Sequence, residues 1–202
     1  MVITAIEPRR KGFSQLYIDG EQAVRLDTET LLQNKIRTGT EITDDELLEL
    51  IQKSEARRAS EKALYLLEHR NHSKKELADK ISRVTSREAA SAAAQHMEDI
   101  GLVNDEDFAR LYARELFCRK KYGTQRVKQE LYRKGIDREL IDIIIQEYGD
   151  YEFKDNIREI LARKYPGYCE DEKIRRRAFA GLQRMGYKYD EIKDALNFDD
   201  EY

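Results

Sequence analysis

Repetition at intervals of about 50 residues limits the possible folds of this chain more than any other feature. The segment QRVKQELYRKGI at 125–136 reappears as RRAFAGLQRMGY at 176–187, with arginine, leucine and glycine at matching positions. A weaker match, KALYLLEHRNHSKKELADKIS, lies upstream at 62–82. Such self-similarity is typical of stacked helical units, each of which buries its apolar face only against its neighbours. The sequence therefore predicts three tandem three-helix repeats.

The repeat that follows Gly101 shows its three helices most clearly. Asn104 can accept hydrogen bonds from the first free backbone N–H groups of a helix, and the acidic residues after it favour the positive end of the helix dipole. Gly135 is expected to end the second helix, Asp137 to open the third and Gly149 to close it. The side chains that helical spacing directs to the core are Phe108, Leu111, Tyr112, Leu116, Val127, Leu131, Leu140, Ile141, Ile144, Ile145 and Tyr148.

The composition indicates a mainly helical protein. Charged residues make up 38% of the chain, tryptophan is absent and only two prolines occur, so charges are many and helix breakers few. The net charge of −3 excludes a protein that is basic overall but allows local basic patches. Neither Cys118 nor Cys169 belongs to a CxxC pair, the N-terminus lacks the order of a signal peptide, and no apolar stretch approaches about 18 residues. We expect a reduced, cytoplasmic protein that does not contact the membrane.

Residues 1–42 differ from the rest of the chain, because short runs of β-forming residues replace the helical periodicity. Asp19 and Gly20 between two of these runs are a strong hairpin signal. We expect a small β-hairpin element that packs on the helices after it, since an isolated hairpin is marginally stable in water. The basic cluster Arg-Arg-Lys at 9–11 has two interpretations, a solvated loop or a contact to phosphate.

These patterns divide the chain into five segments. Capping-box spacing predicts three helix starts, at Thr43 with Glu46, at Ser73 with Glu76, and at Thr85 with Glu88. The segments are a β element at 1–42, a linker helix with the first repeat at 43–103, a second repeat at 104–149, a third at 150–198 and an acidic tail at 199–202.

The search for catalytic motifs finds none. The sequence contains no phosphate-binding loop GxxxxGKS/T, no GxGxxG after a strand, no HExxH and no GxSxG. His69 and His72 could share a metal ion, but no acidic or cysteine ligand lies at supporting spacing. We therefore expect a protein that is not an enzyme and that holds no metal or cofactor.

Basic residues are concentrated around the second helices of the last two repeats. Seven basic residues and one acidic residue lie between Arg119 and Lys134, and six basic residues and no acidic residue lie between Lys173 and Lys188. Arginines seven positions apart on these helices point within about 20° of each other, away from the core positions. Two interpretations stay open, ordinary solvated helix faces or a stripe that binds phosphate or an acidic protein groove. The residues assigned to such a stripe are Arg119, Lys120, Lys121, Arg126, Arg133, Lys173, Arg177 and Arg184.

The helical part of the chain resembles a known family, the bacterial RecX regulatory proteins. The pattern at the start of the resemblance is Ala63-Leu64, Leu67, Arg70, Ser73 and Glu76-Leu77. The most specific match consists of Gly101-Leu102-Val103-Asn104-Asp105, Phe108-Ala109, Gly123, Arg126-Val127, Glu130-Leu131 and Lys134-Gly135-Ile136. The resemblance covers roughly residues 56–198. The N-terminal β segment is similar to an extension that only some members have.

The resemblance implies an elongated, curved module of three-helix repeats and a partner. Members of the family bind filaments of the RecA recombinase on single-stranded DNA, lodge in the helical groove, and inhibit ATP hydrolysis and strand exchange by blocking or destabilising the filament. We therefore expect a monomeric inhibitor that acts in DNA repair, recombination and the SOS response. Direct contact with single-stranded DNA is left open. The family assigns no contact residues to these positions, so the basic stripe is a prediction from spacing alone.

Two other functions are weighed against this one. A three-helix unit with a short glycine-containing turn can mimic a helix-turn-helix, which would make the protein a sequence-specific DNA-binding regulator. Its basic helices, however, carry few asparagine or glutamine side chains to read base edges. A nuclease is the third possibility, and the sequence gives it little support.

Overall fold

The computed structural model describes residues 1–148 and 153–197, which form ten α-helices and one small sheet. The chain divides into two compact units, Met1–Val103 (the N-terminal unit) and Asn104–Tyr202 (the C-terminal unit). The prediction of a mainly α fold with a small N-terminal β element is confirmed. The predicted segment boundaries stay predictions, and both Gly149 as a helix end and the acidic tail lie outside the described residues.

The sheet has one strand more than the expected hairpin. Strands β1 (Ile3–Arg9), β2 (Phe13–Ile18) and β3 (Glu21–Asp27) pair antiparallel in that order. Asp19 and Gly20 have φ angles of 52° and 90°, and positive φ at both central residues is what a type I′ hairpin turn requires. The hairpin predicted at these two residues is therefore confirmed, and β1 joins it through a tight turn at 10–12.

The sheet packs on two helices, α1 (Thr28–Gln33) and α2 (Asp44–His69). The sequence analysis did not predict α1, which Asp27 caps by accepting a hydrogen bond from Thr30 N at 3.0 Å. Asp27 N in turn donates to Ser54 Oγ of α2 at 2.8 Å, a buried contact that fixes β3 on this helix. The side chains of the shared core are Ile3, Leu16, Ile18, Leu26, Leu31, Ile42 and Leu50.

Helix α2 joins the sheet to the first group of helices. Thr43 and Glu46 form the predicted capping box at its start. The helix continues for 26 residues without a break, about 39 Å at 1.5 Å per residue. The predicted linker and the first helix of the first repeat are therefore one element. No helix in the described part of the chain combines the length and apolar character needed to cross a membrane.

Two further helices complete the N-terminal unit, α3 (Lys74–Ile81) and α4 (Arg87–Asp99). Ser73 caps α3 as predicted, by accepting from Glu76 N at 3.2 Å. The predicted cap at Thr85 is wrong by one residue, because Ser86 accepts from Ala89 N and Thr85 instead donates to a carbonyl of the preceding turn. The helices meet around small side chains, which allow close packing. The core comprises Ala59, Ala63, Leu77, Ile81, Ala90, Ala93, Ala94, Met97 and Val103.

The C-terminal unit begins with three helices that we call the middle bundle: α5 (Asp105–Arg114), extended by a π-helical turn at Glu115–Arg119, α6 (Thr124–Arg133) and α7 (Arg138–Glu147). Asn104 Oδ1 accepts hydrogen bonds from Glu106 N at 2.9 Å and Asp107 N at 3.2 Å, which confirms the predicted helix start. Asp137 caps α7 in the same way by accepting from Glu139 N at 2.8 Å.

The core of the middle bundle differs from the prediction at Leu111, which is 57% exposed. Ala109 and Ala113 are fully buried and each lies two positions from Leu111, which places Leu111 about 160° around the helix from both. Alanine contributes little to an apolar pattern, so the larger leucine was wrongly given to the core. Most other predicted positions are buried, and the fully buried ones include Leu116, Val127, Leu131 and Ile144.

The remaining described helices form the C-terminal bundle: α8 (Phe153–Lys164), α9 (Glu172–Arg184) and α10 (Tyr189–Asn197). Helix α9 begins at Glu172, because Asp171 caps it by accepting a hydrogen bond from Lys173 N at 2.7 Å. The core of this bundle comprises Ile157, Ile160, Leu161, Ala178, Leu182, Tyr187, Ile192, Ala195 and Leu196.

Two glycines allow the middle bundle and the C-terminal bundle to meet backbone to backbone. Gly123 N donates to Met185 O at 2.9 Å, and Gln125 N donates to Gly186 O at 3.0 Å. A Cβ built on Gly123 would overlap the backbone of Gly186, and one on Gly186 would overlap Arg126. Any residue larger than glycine would block this approach at either position. Gly123 and Gly186 therefore fix how the middle bundle packs against the C-terminal bundle.

Candidate protein and nucleic-acid interface

Three of the predicted stripe residues share one exposed face of α9. Lys173, Arg177 and Arg184 lie within about 40° of each other around the helix, and all three are exposed. Ala178 and Leu182 lie on the buried side. None of the three cations makes an ion pair with a residue that the structure describes. This surface, which we call the α9 face, therefore carries three positive charges that form no ion pair with a carboxylate of the described chain.

The two arginines predicted on α6 lie together, but with a carboxylate between them. Glu130 contacts Arg126 at 2.7 Å and Arg133 at 3.3 Å. The side chain of Arg126 is 33% exposed, against 64% for Arg133, and its guanidinium lies 5.8 Å from the ring centre of Tyr122. Both arginines contact Glu130, which agrees with the shared direction that their spacing predicts, but Arg126 is only partly exposed. The face has a net charge of about +1 rather than +2 once Glu130 is included.

The three basic residues before α6 also have acidic partners. Arg119 and Lys120 approach the same carboxylate oxygen of Glu115, at 2.6 and 3.7 Å. Lys121 pairs with Glu159 of α8. Exposed ion pairs of this kind contribute about 0–1 kcal/mol each, so these lysines and arginines can exchange their present partners for others. Of the eight predicted residues, only the three of the α9 face make no ion pair with a residue that the structure describes.

A second group of cations lies in the N-terminal unit, and sequence reasoning identified only part of it. The basic cluster at 9–11 lines one cleft together with Arg25 of β3 and Arg58 of α2. These residues come from three separate elements, and only folding brings them together. A local sequence pattern could reveal the cluster at 9–11 but not its two partners.

The two histidines weighed as metal ligands have different surroundings. His72 is 3% exposed and its Nδ1 lies 3.3 Å from Glu76 Oε2, whereas His69 is exposed. Burial lowers the pKa of His72, and the positive charges of Arg70 and Lys80 lower it further. Within the described ranges, no three histidine, cysteine or acidic residues are grouped so that they could hold a metal ion.

Comparison with known proteins places this fold in a family. The family model for the second three-helix domain of RecX matches residues 104–143. Regulatory protein RecX of Caldanaerobacter subterraneus subsp. tengcongensis is 30% identical over 200 residues, which cover 98% of this chain and 99% of that protein. The chain belongs to the RecX family. Regulatory protein RecX of Clostridioides difficile is 28% identical over 201 residues, or 97% of this chain and 94% of the relative.

A crystal structure of a regulatory protein RecX has the same fold. It aligns with a TM-score of 0.63 over 96% of this chain and 98% of that chain, at 21% sequence identity. The matched RecX domain model ends at residue 143, so it includes the basic residues of the middle bundle but not the α9 face. Membership of the RecX family assigns no role to any of the eight residues. Their part in binding stays a prediction.

Proposed function

We propose that this RecX protein binds RecA filaments on single-stranded DNA and inhibits their ATP hydrolysis and strand exchange. The observation that carries the proposal is the match to a regulatory protein RecX along 98% of this chain and 99% of that protein. The proposed action needs no catalysis, because a protein lodged in the filament groove blocks or destabilises the filament. It assigns the protein to DNA repair, recombination and the SOS response in the cytoplasm, as a monomer.

The α9 face is the proposed contact surface. Its three cations form no ion pair within the described chain, so they are available to bind an acidic protein groove or a phosphate. Complementary charge of this kind accelerates association and fixes orientation more than it adds affinity. The ion-paired residues of the middle bundle are expected to contribute less.

Binding to immobilised filaments tests this assignment. Cognate RecA is assembled on biotinylated single-stranded DNA with a non-hydrolysable ATP analogue, and association of the RecX protein is followed in real time. The K173E/R177E/R184E variant is expected to bind about tenfold more weakly, mainly through slower association. The matched control is R163E/K164E/K193E, which reverses three exposed cations of the same unit that lie outside the α9 face.

The results distinguish an error in the proposed contact surface from an error in the proposed function. Equal binding by the α9-face variant and its control would remove the α9 face from the proposal. The R126E/R133E variant is expected to lose less than the α9-face variant, because Glu130 already balances part of the charge on α6. If the wild-type protein does not bind RecA filaments but binds one duplex sequence more tightly than others, the result would instead support the helix-turn-helix-like regulator.

A further inference from the structure

A cleft of about 700 Å³ opens between the N-terminal sheet and the middle of α2. This volume lies within the range of about 300–1,000 Å³ that is typical of ligand sites. Its basic side chains are those of the cluster at 9–11, at the end of β1 and the start of the β1–β2 turn, together with Arg25 of β3 and Arg58 of α2. No acidic residue of the described chain lines it. We call it the N-terminal basic cleft. Five cations facing one concavity raise its positive potential, because low-dielectric walls focus the field.

Four of these five cations form no ion pair within residues 1–148 and 153–197. Arg9 pairs with Glu7 at 2.7 Å, whereas the other four make no ion pair with any described residue. A neighbouring arginine behaves differently, since Arg57 contacts both Asp27 at 3.1 Å and Glu61 at 2.8 Å. Acidic side chains therefore pair with Arg57, the residue before Arg58 on α2, but neither of them lines the cleft. The mutual repulsion of the four cations costs free energy that a bound anion would remove.

Phe13 holds two of the cations in place. The guanidinium carbon of Arg25 lies 4.4 Å from the ring centre of Phe13, and that of Arg58 lies 4.1 Å from it. Contact with an aromatic ring stabilises a guanidinium by about 0.5–1 kcal/mol at exposed sites, and it restricts a side chain that otherwise loses entropy on binding. Two guanidinium groups already occupy this ring, so it offers little surface on which a base could stack. The site therefore suits phosphate, which arginine can bind with two parallel hydrogen bonds.

We propose that the N-terminal basic cleft binds the phosphodiester backbone of single-stranded nucleic acid without reading its bases. Five cations exceed the charge of one phosphate, so a chain that presents successive phosphates balances them better than a single free phosphate. A flexible single strand can follow a concave surface, whereas a duplex, with a persistence length of about 150 base pairs, cannot bend into it. The contact needs no RecA, so it goes beyond the proposed function.

The test measures binding of a dye-labelled 15-nucleotide thymidine strand by fluorescence anisotropy, with the full-length protein and without RecA. Two variants remove cleft charges, R25Q/R58Q and R10Q/K11Q, and the second changes only exposed turn residues. The control K35Q/R37Q removes two exposed cations of the same unit that lie outside the cleft. Circular dichroism spectra and melting confirm folding, and R10Q/K11Q decides the result if R25Q/R58Q unfolds.

Both cleft variants are expected to bind at least about tenfold more weakly than the control. The slope of log affinity against log salt should fall by about 1.4, or about 0.7 for each lost phosphate contact. A mixed-sequence strand should bind as the thymidine strand does. Cleft variants that bind the strand as tightly as the control would overturn the proposal. It would also be overturned if ATP displaced the labelled strand as well as an unlabelled strand at equal phosphate concentration, or if duplex DNA bound more tightly than the single strand. Because RecA is absent, failure here leaves the proposed RecA function untouched.

Discussion

Replacing Gly186 with alanine is expected to force apart the middle bundle and the C-terminal bundle where they lie closest. A Cβ at this position would lie 2.8 Å from Arg126 Cα and closer still to its backbone nitrogen, inside the favourable carbon contact distance of about 3.5–4.0 Å. The φ angle of 91° adds about 1–2 kcal/mol of backbone strain for an L-residue. Overpacking adds about 1–3 kcal/mol, so the unfolding free energy should fall by about 2–5 kcal/mol.

Substitutions at two other glycines measure the backbone strain and the overpacking separately. Gly167 has a φ of 80° but its added Cβ would lie 3.8 Å from the nearest atom, Ile174 Cδ1, so G167A should lose only the strain of about 1–2 kcal/mol. Gly123 has a φ of −76°, which alanine adopts freely, but its Cβ would overlap the Gly186 backbone. G123A should therefore lose the overpacking energy of about 1–3 kcal/mol alone.

Urea unfolding followed by circular dichroism measures all three losses. The urea midpoint should fall most for G186A and less for G167A and G123A. The slope of unfolding free energy against urea concentration should be the same in all three variants, which would show that their denatured states are comparable. If G186A loses no more free energy than G167A, the close backbone approach between the bundles does not exist in solution as described.

Three further perturbations test local features of the fold. Asn104→Ala removes the acceptor for two backbone N–H groups and should lower the unfolding free energy by about 1 kcal/mol, which urea denaturation measures. Ser54→Ala leaves the buried Asp27 N without its acceptor; it should cost about 1–3 kcal/mol in the same assay, whereas Ser91→Ala, at an exposed position, should leave stability unchanged. The lowered pKa of His72 means that the unfolded chain binds a proton more readily, so stability should fall as pH drops below about 6.5. The thermal midpoint between pH 8 and pH 5 should show this loss, and His72→Gln should reduce it; an unchanged pH profile in that variant would contradict the assignment to His72.

The sequence was sufficient to predict features that depend on neighbours within a few positions. The helix starts at Asn104 and Asp137 follow from side chains that reach a backbone group two or three residues away. The prediction at Thr85 failed because Ser86 beside it can make the same bond. Leu111 was misplaced because alanines, which an apolar pattern underweights, form the buried face of α5.

The candidate sites were less predictable because they depend on distant residues. Spacing placed Arg126 and Arg133 on one face, but the effect of Glu130 between them required the side-chain geometry. The N-terminal basic cleft joins Arg25 and Arg58 to the turn at 9–11, and their sequence separation hides that association. The glycine contact between the bundles is equally non-local, since Gly123 and Gly186 lie 63 positions apart.

The proposed inhibition of RecA is tested most directly by measuring DNA-dependent ATP hydrolysis. Cognate RecA filaments are first formed on single-stranded DNA, and the RecX protein is then titrated into the running reaction. We predict inhibition at RecX concentrations well below that of RecA, because a groove-bound protein that blocks or destabilises a filament affects many RecA subunits. Hydrolysis that continues unchanged at equal concentrations and low salt would contradict the proposed function.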